Sequence, residues 1–177
     1  MINNKPTFAK GKSGKMMYNQ GLFIPVNKDK VITLNKHGGL WYRSSWEKKF
    51  YNFLDLATHV IKWNAEIVTI QYTVNEMRDG RMVATEHRYY PDIYYEIKYP
   101  SGNIKKFLGE IKPGKETSKP KDLGEKYSHK QLKNFEYDHK MWAKNSAKWC
   151  AADEYCKKRG MEFKIITEDI INKLSGI

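Results

Sequence analysis

Three stretches rich in Ile, Val, Thr, Tyr and Phe follow one another between Glu66 and Lys112, separated by the turn signals Asp79-Gly80 and Pro100-Ser101-Gly102-Asn103. Side chains of this kind suit a pleated, half-buried surface, and Gly or Asn at the turns lets the chain reverse. The pattern predicts strands over 66–74, 82–97 and 104–112, joined as an antiparallel meander. Helices are expected on either side of it. Trp46, Phe50, Phe53, Leu54 and Ala57 recur at helical spacing from Ser44 to about position 58, and helical patterning returns over 129–142 and 146–159, with Asn145 as a cap between the two. Gly160 closes the last of these; 161–166 reads as a final strand and Thr167-Glu168-Asp169 as the start of a short terminal helix.

The remaining segments read as connections. Residues 113–127, built from Gly, Lys, Pro, Ser and Thr, read as a mobile loop, and the glycine- and proline-punctuated residues 1–40 as an extended basic arm with strand-like pieces at 22–26 and 31–34. At 177 residues the chain has room for one main domain. The division expected is an arm over 1–40 and a single domain over 41–177. No run approaches the roughly 18 apolar residues of a membrane span, and the first residues lack the apolar stretch of a secretory signal, so a soluble protein is expected. Two cysteines, Cys150 and Cys156, match neither a disulfide framework nor a zinc site, and they read as small buried hydrophobes in a reducing compartment.

The 32 Lys and Arg outnumber the 20 Asp and Glu, for a formal charge of +12, and the excess is unevenly spread. Residues 1–40 carry net +6 and residues 112–148 net +5, whereas 41–111 carry +1 and 149–177 balance. Blocks of lysine attract polyanions by releasing condensed counterions, although a solvated face has the same composition. Only 5 of the 32 bases are arginine. Arginine is the usual reader of guanine, so the balance points to backbone attraction over base-specific reading. In the second block, Lys115, Lys119, Lys121, Lys126, Lys130 and Lys133 are the candidates for contacting DNA. In the arm, Phe8, Tyr18 and Phe23 could stack on unpaired bases or dock on another protein.

The near-neutral middle holds the chemistry. Alternation along a strand points Glu110 and Lys112 to one face and Ile111 to the other, buried one. If the hairpin turns at Ser101-Gly102, Asp92 lies opposite Glu110, where paired residues have Cβ atoms about 5 Å apart. Two carboxylates so close repel unless a hard cation sits between them, and Mg²⁺ prefers carboxylates, backbone oxygens and water. Lys112 could orient or help deprotonate a water and balance charge on a phosphate. Glu-x-Lys also occurs at Glu47 to Lys49, Glu96 to Lys98 and Glu162 to Lys164, but none of these faces a Pro-Asp pair across a hairpin. Glu47 has two readings. Ser44-x-x-Glu47 has the form of a capping box, yet Glu47 also shares the inward face of its helix with Phe50, Tyr51 and Leu54.

These residues, in order, resemble a known family. Tyr42 to Phe50, Ile61-Lys62-Trp63, His87 to Asp92 and Leu108-Gly109-Glu110-Ile111-Lys112-Pro113 are similar to the head completion nucleases of T4-like tailed phages. Lys148 to Ala152 and Phe163 to Glu168 extend the similarity over roughly residues 40–170. More broadly, the chain resembles the N-terminal domain of the Tn7-type transposase endonuclease and, beyond it, the restriction-endonuclease-like superfamily. The resemblance implies an α/β fold with a mixed, mainly antiparallel central sheet flanked by helices. It implies a metal-dependent phosphodiesterase using Mg²⁺, with Mn²⁺ as a possible substitute. Asp92, Glu110 and the Ile111 carbonyl would be the metal ligands, Lys112 the catalytic lysine and Glu47 the helix carboxylate completing the site; Gln131 is a candidate assisting residue. The implied role is trimming DNA in packaged heads before tail attachment, with DNA and capsid, portal or neck proteins as partners. The place implied is the host cytoplasm during assembly, or the virion head or neck. Two alternatives stay open: a structural head or neck protein on the same fold, and a DNA endonuclease of the transposase or resolvase type. His37, His59, His87, His129 and His139 form no metal-spaced pair, and Trp142, Trp149 and Tyr155 read as core.

Overall fold

The computed structural model describes residues 19–174, so Phe8 and Tyr18 lie outside the described residues. In chain order the elements are strands β1 (Gly21–Phe23) and β2 (Leu40–Tyr42), helix α1 (Ser45–Leu56), and strands β3 (Val60–Ala65), β4 (Ile70–Arg78), β5 (Arg81–Tyr89), β6 (Ile93–Lys98) and β7 (Ile104–Ile111). Helix α2 (His129–Lys157), strand β8 (Glu162–Ile166) and helix α3 (Glu168–Leu174) complete it. The central sheet has the order β3-β6-β7-β8, antiparallel except for the parallel β7–β8 pair. This is the mixed, mainly antiparallel α/β arrangement expected.

The expected meander is corrected. Residues 82–97 form two strands in different sheets, because the chain breaks at Tyr90-Pro91-Asp92, where Pro91 has no N–H to give a ladder. β5 pairs with β4 in a separate ribbon, from Ile70 opposite Tyr89 to Arg78 opposite Arg81. The place beside β6 is taken by β3, for which the sequence carried no expectation of its own.

The central sheet is buried on both faces. On one, Ile93, Tyr95, Phe107 and Ile111 pack against Phe50, Tyr51 and Leu54 of α1 and Ile171 of α3, around the fully buried Trp63. On the other, Leu108 meets Ala152 and Cys156 of α2 and Ile70, Tyr72 and Tyr89 of the ribbon. Gly109 stands where the sheet is tightest: a Cβ there would come within 2.6 Å of Ile93 Cγ2 and 2.8 Å of Ile166 Cδ1.

The basic arm is corrected from Gly21 onward. β1 pairs with β2, and Phe23, Val31 and Leu40 are buried in the first core, so Phe23 is a packing residue and not a free platform. Asp55, 1% exposed, accepts N–H groups from Val26 and Asn27 at 2.7 and 3.0 Å and pins the segment to α1. The two expected helices over 129–159 are one. α2 runs unbroken for 29 residues, roughly 43 Å at 1.5 Å per residue. Asn145, expected as a cap, is buried within it. Cys150 is exposed, against expectation, and Cys156 is buried as expected. Among the described residues no helix is long and apolar enough to cross a membrane.

Candidate active site

β7 delivers Glu110 and ends at Ile111, and the break after β5 delivers Asp92 beside them. Ile93 pairs with Gly109, so Asp92 lies one step further along the same register, next to Glu110, as the alternation predicts. Asp92 is fixed there by its Oδ2, which accepts the Ile111 N–H at 2.7 Å. Ile111 turns its side chain into the first core, as expected.

Glu110 is 4% exposed and gripped from two sides. Tyr89 donates its hydroxyl to Oε2 at 2.7 Å, and the Lys112 ammonium lies 3.5 Å from Oε1. Burial, the adjacent Glu110 charge and Glu47 together push the Asp92 carboxyl well above the ordinary carboxylate range, against the pull of the Ile111 N–H and Lys112. Two carboxylates are therefore held together despite their repulsion.

Glu47 takes part in the helix cap. Ser44 caps α1 by accepting the Glu47 N–H at 3.1 Å, and Glu47 accepts the Ser44 hydroxyl at 3.0 Å and the Arg43 N–H at 2.9 Å. The return bond thus goes to the residue before the cap. Burial pushes the Glu47 carboxyl upward, offset by these bonds, and its charge is felt at Asp92 and at the buried phenol of Tyr51. Arg43 in turn forks onto Glu66 at 2.6 and 3.0 Å.

Tyr89 and Lys148 were not found from the sequence. The Lys148 ammonium lies 5.4 Å from the Tyr89 ring centroid. Burial lowers its pKa, and Glu110, Lys112, Lys144 and Asp92 are the charges that act on it. Tyr89 stays a donor, since burial and the neighbouring Glu110 raise its phenol far above the usual range. The available signal for Lys148 was its place in the segment Lys148 to Ala152 that carries the family resemblance.

Gln131 is held in a capping role. It belongs to the first turn of α2, where Ser128 caps the Gln131 N–H and Gln131 Oε1 accepts the Ser128 N–H at 2.8 Å. Seventeen residues separate it from Lys148, roughly 25 Å along the helix. Ser128-x-x-Gln131 already had the form of a capping box. The bystander pairs are peripheral: Glu162 is shared by the exposed Lys105 and Lys164 at 2.8 and 2.9 Å, and Glu96 accepts the Tyr94 hydroxyl at 2.5 Å. The lysines 115, 119, 121, 126, 130 and 133 are all exposed, the first four on the 113–127 connection, which Glu168 anchors by accepting the Gly114 N–H at 2.7 Å.

Among the described residues no group of three His, Cys, Asp or Glu side chains converges on one point. The donor set is two carboxylates, with Glu47 behind them. That set fits a hard divalent cation such as Mg²⁺, which retains waters and takes one or two protein carboxylates together with substrate phosphate.

Residues 57–168 match the sequence model of the TnsA-like endonuclease N-terminal domain. The chain is 35% identical over 154 residues to the head completion nuclease of Enterobacteria phage T4, an alignment that spans 87% of this chain and 94% of that protein. No solved structure is a significant match.

Proposed function

We propose, from the premise that this chain belongs to the TnsA-like endonuclease family and is a nuclease, that it is a Mg²⁺-dependent DNA endonuclease which trims DNA in packaged phage heads before the tail joins. The observation that carries the chemistry is the pair Asp92 and Glu110, held side by side with Lys112 against Glu110. A purely structural head or neck role leaves a buried and a half-buried carboxylate, mutually repelling, without a purpose.

Asp92 and Glu110 would hold the cation, with the Ile111 carbonyl as the backbone ligand. When bound, Mg²⁺, or Mn²⁺ in its place, supplies positive charge to the scissile phosphate and makes a water acidic enough to attack. Lys112 orients that water and balances the negative charge that grows on the phosphate. Lys148 adds a second ammonium from α2, and Tyr89 fixes the Glu110 carboxylate so that Oε1 is left to Lys112 and the cation.

Helix α2 supplies the approach. Lys130, Lys133, Tyr137, Lys140, Lys144 and Lys148 follow one another at steps of three or four residues, so they share one face. Toward the C-terminus the same face continues through Ala151 and Tyr155 into the second core, the side of the sheet on which Leu108 and Glu110 lie. The N-terminal half of α2 therefore extends the active-site side as a lysine-lined rail about 27 Å long. Such a rail suits the DNA backbone, with the loop lysines 115, 119, 121 and 126 alongside. The name of the phage relative motivates the packaged-head setting and capsid, portal or neck proteins as partners.

The test is cleavage of linear, circular, branched and single-stranded DNA with Mg²⁺ and with chelator. Cleavage should require the ion, and Asp92→Ala should abolish it while leaving DNA binding largely intact. Full cleavage by Asp92→Ala would overturn the site.

A further inference from the structure

Apart from the carboxylate pair, the structure has a concavity on helix α2. A cavity of about 520 Å³ lies between residues 115–123 and the N-terminal half of α2, within the roughly 300–1,000 Å³ typical of small-ligand sites. Phe135, Met141 and Trp142 line it, together with the ammonium groups of Lys115 and Lys121 and the carboxylates of Glu116 and Asp138. Asn145 also lines it, and its side-chain amide offers a donor and an acceptor together.

The cavity adjoins the active site along two elements. Asn145 is one turn of α2 before Lys148, and Lys115 follows Lys112 by three residues. Both walls therefore lead, along the chain, to candidate site residues. Aromatic and thioether walls, one amide and two lysines match a nucleobase carried on a phosphodiester chain: the rings stack, the amide and the carboxylates read base edges and the lysines meet flanking phosphates.

We propose that this cavity receives an unpaired nucleobase next to the scissile phosphate, so that the enzyme selects DNA in which a duplex adjoins unpaired nucleotides. The proposal rests on the nuclease reading above and narrows its substrate class. Pulling a base from an intact duplex costs unstacking and unpairing, which an already unpaired base does not incur. The cavity thereby rewards frayed, flapped or gapped DNA over continuous duplex. Trp142, read from the sequence as core alone, gains a contact with substrate, supported by Trp149 with ring centroids 5.8 Å apart.

The experiment compares binding, in chelator, of a fully paired duplex and of the same duplex with a short single-stranded flank carrying 2-aminopurine. The flanked DNA should bind about tenfold tighter, within the range of one base–aromatic stack, and the probe should lose fluorescence on binding. Asn145→Ala should abolish the preference and the quenching while leaving duplex affinity unchanged. Met141→Trp, at an exposed position, should also abolish the preference for flanked DNA by filling the cavity without removing a buried contact. Equal affinity of the wild type for the two DNAs, or a preference that survives Met141→Trp, would overturn the proposal. A Mg²⁺ cleavage assay on both DNAs separates the two readings. Cutting without preference or quenching leaves the nuclease and removes the base site; quenching without cutting does the reverse.

Discussion

The phenol of Tyr89 and the carboxylate of Glu110, 21 residues apart in the chain, meet at 2.7 Å in the buried interior, with the Lys148 ammonium 5.4 Å from the same ring. β5 and β7 belong to different sheets, so this bond ties the ribbon to the strand that carries Glu110.

Tyr89→Phe leaves Glu110 Oε2 without its donor. Loss of a hydrogen bond to a charged group costs about 1.5–3 kcal/mol of stability, read by denaturant unfolding, and cation affinity should fall about 10–100-fold. Lys148→Met keeps the apolar stem, so the fold should be retained and the cleavage rate should fall about 100-fold. Single-turnover kinetics that match wild type would remove Lys148 from the site.

Asp92→Asn should make the metal-free protein more stable at pH 7. The folded state raises the Asp92 pKa above its ordinary 3.8, so the native protein binds this proton more tightly than the unfolded chain. The cost of the charge is absent below about pH 3.8, grows as pH rises through the folded value and is complete above it. Asn can still accept the Ile111 N–H. Melting in chelator should rise by a few degrees at pH 7, roughly 2–4 °C for each 1 kcal/mol in a chain of this size, and the gain should vanish near pH 3.8. A variant that melts lower at pH 7 would contradict the repulsion.

The two readings of Glu47 separate by substitution. Ser44→Ala should cost about 1 kcal/mol of stability through the lost cap and leave cleavage intact. Glu47→Gln retains an acceptor for the Arg43 and Ser44 donors yet removes the charge felt at Asp92, and cleavage should drop at least tenfold. Equal cleavage by both variants would reduce Glu47 to a cap.

Charge on the α2 rail is measured by salt. Replacing Lys133, Lys140 and Lys144 with Gln should flatten the log affinity against log salt plot for duplex DNA by about 0.9 for each lost phosphate contact. An unchanged slope would mean that this face meets solvent or protein.

What the sequence disclosed was local. Glu110 and Asp92 could be paired because two-residue alternation and one hairpin turn suffice to place them, and the ordered series from Tyr42 to Lys112 pointed to the family that the comparisons show. The break at Pro91 was concealed because β5 and β6 share one composition, and only their partners, β4 and β3, distinguish them. Asn145 misled in the opposite way: a good cap residue on paper, it is buried in mid-helix, where tertiary contacts override local preference. Tyr89 and Lys148 depend on packing between the ribbon, α2 and β7, which no spacing along the chain encodes. The cap at Gln131 stood open to reading in Ser128, three residues before it, but the family resemblance drew Gln131 toward the site instead.

The most direct measurement is Mn²⁺ binding to the purified protein, wild type beside Asp92→Asn, Glu110→Gln and Lys112→Ala, with cleavage assayed on the same preparations. The expected result is binding by wild type, loss in both carboxylate variants, and retained binding without cleavage in Lys112→Ala. Undiminished Mn²⁺ binding in both carboxylate variants would contradict the assignment of Asp92 and Glu110 as the cation's ligands.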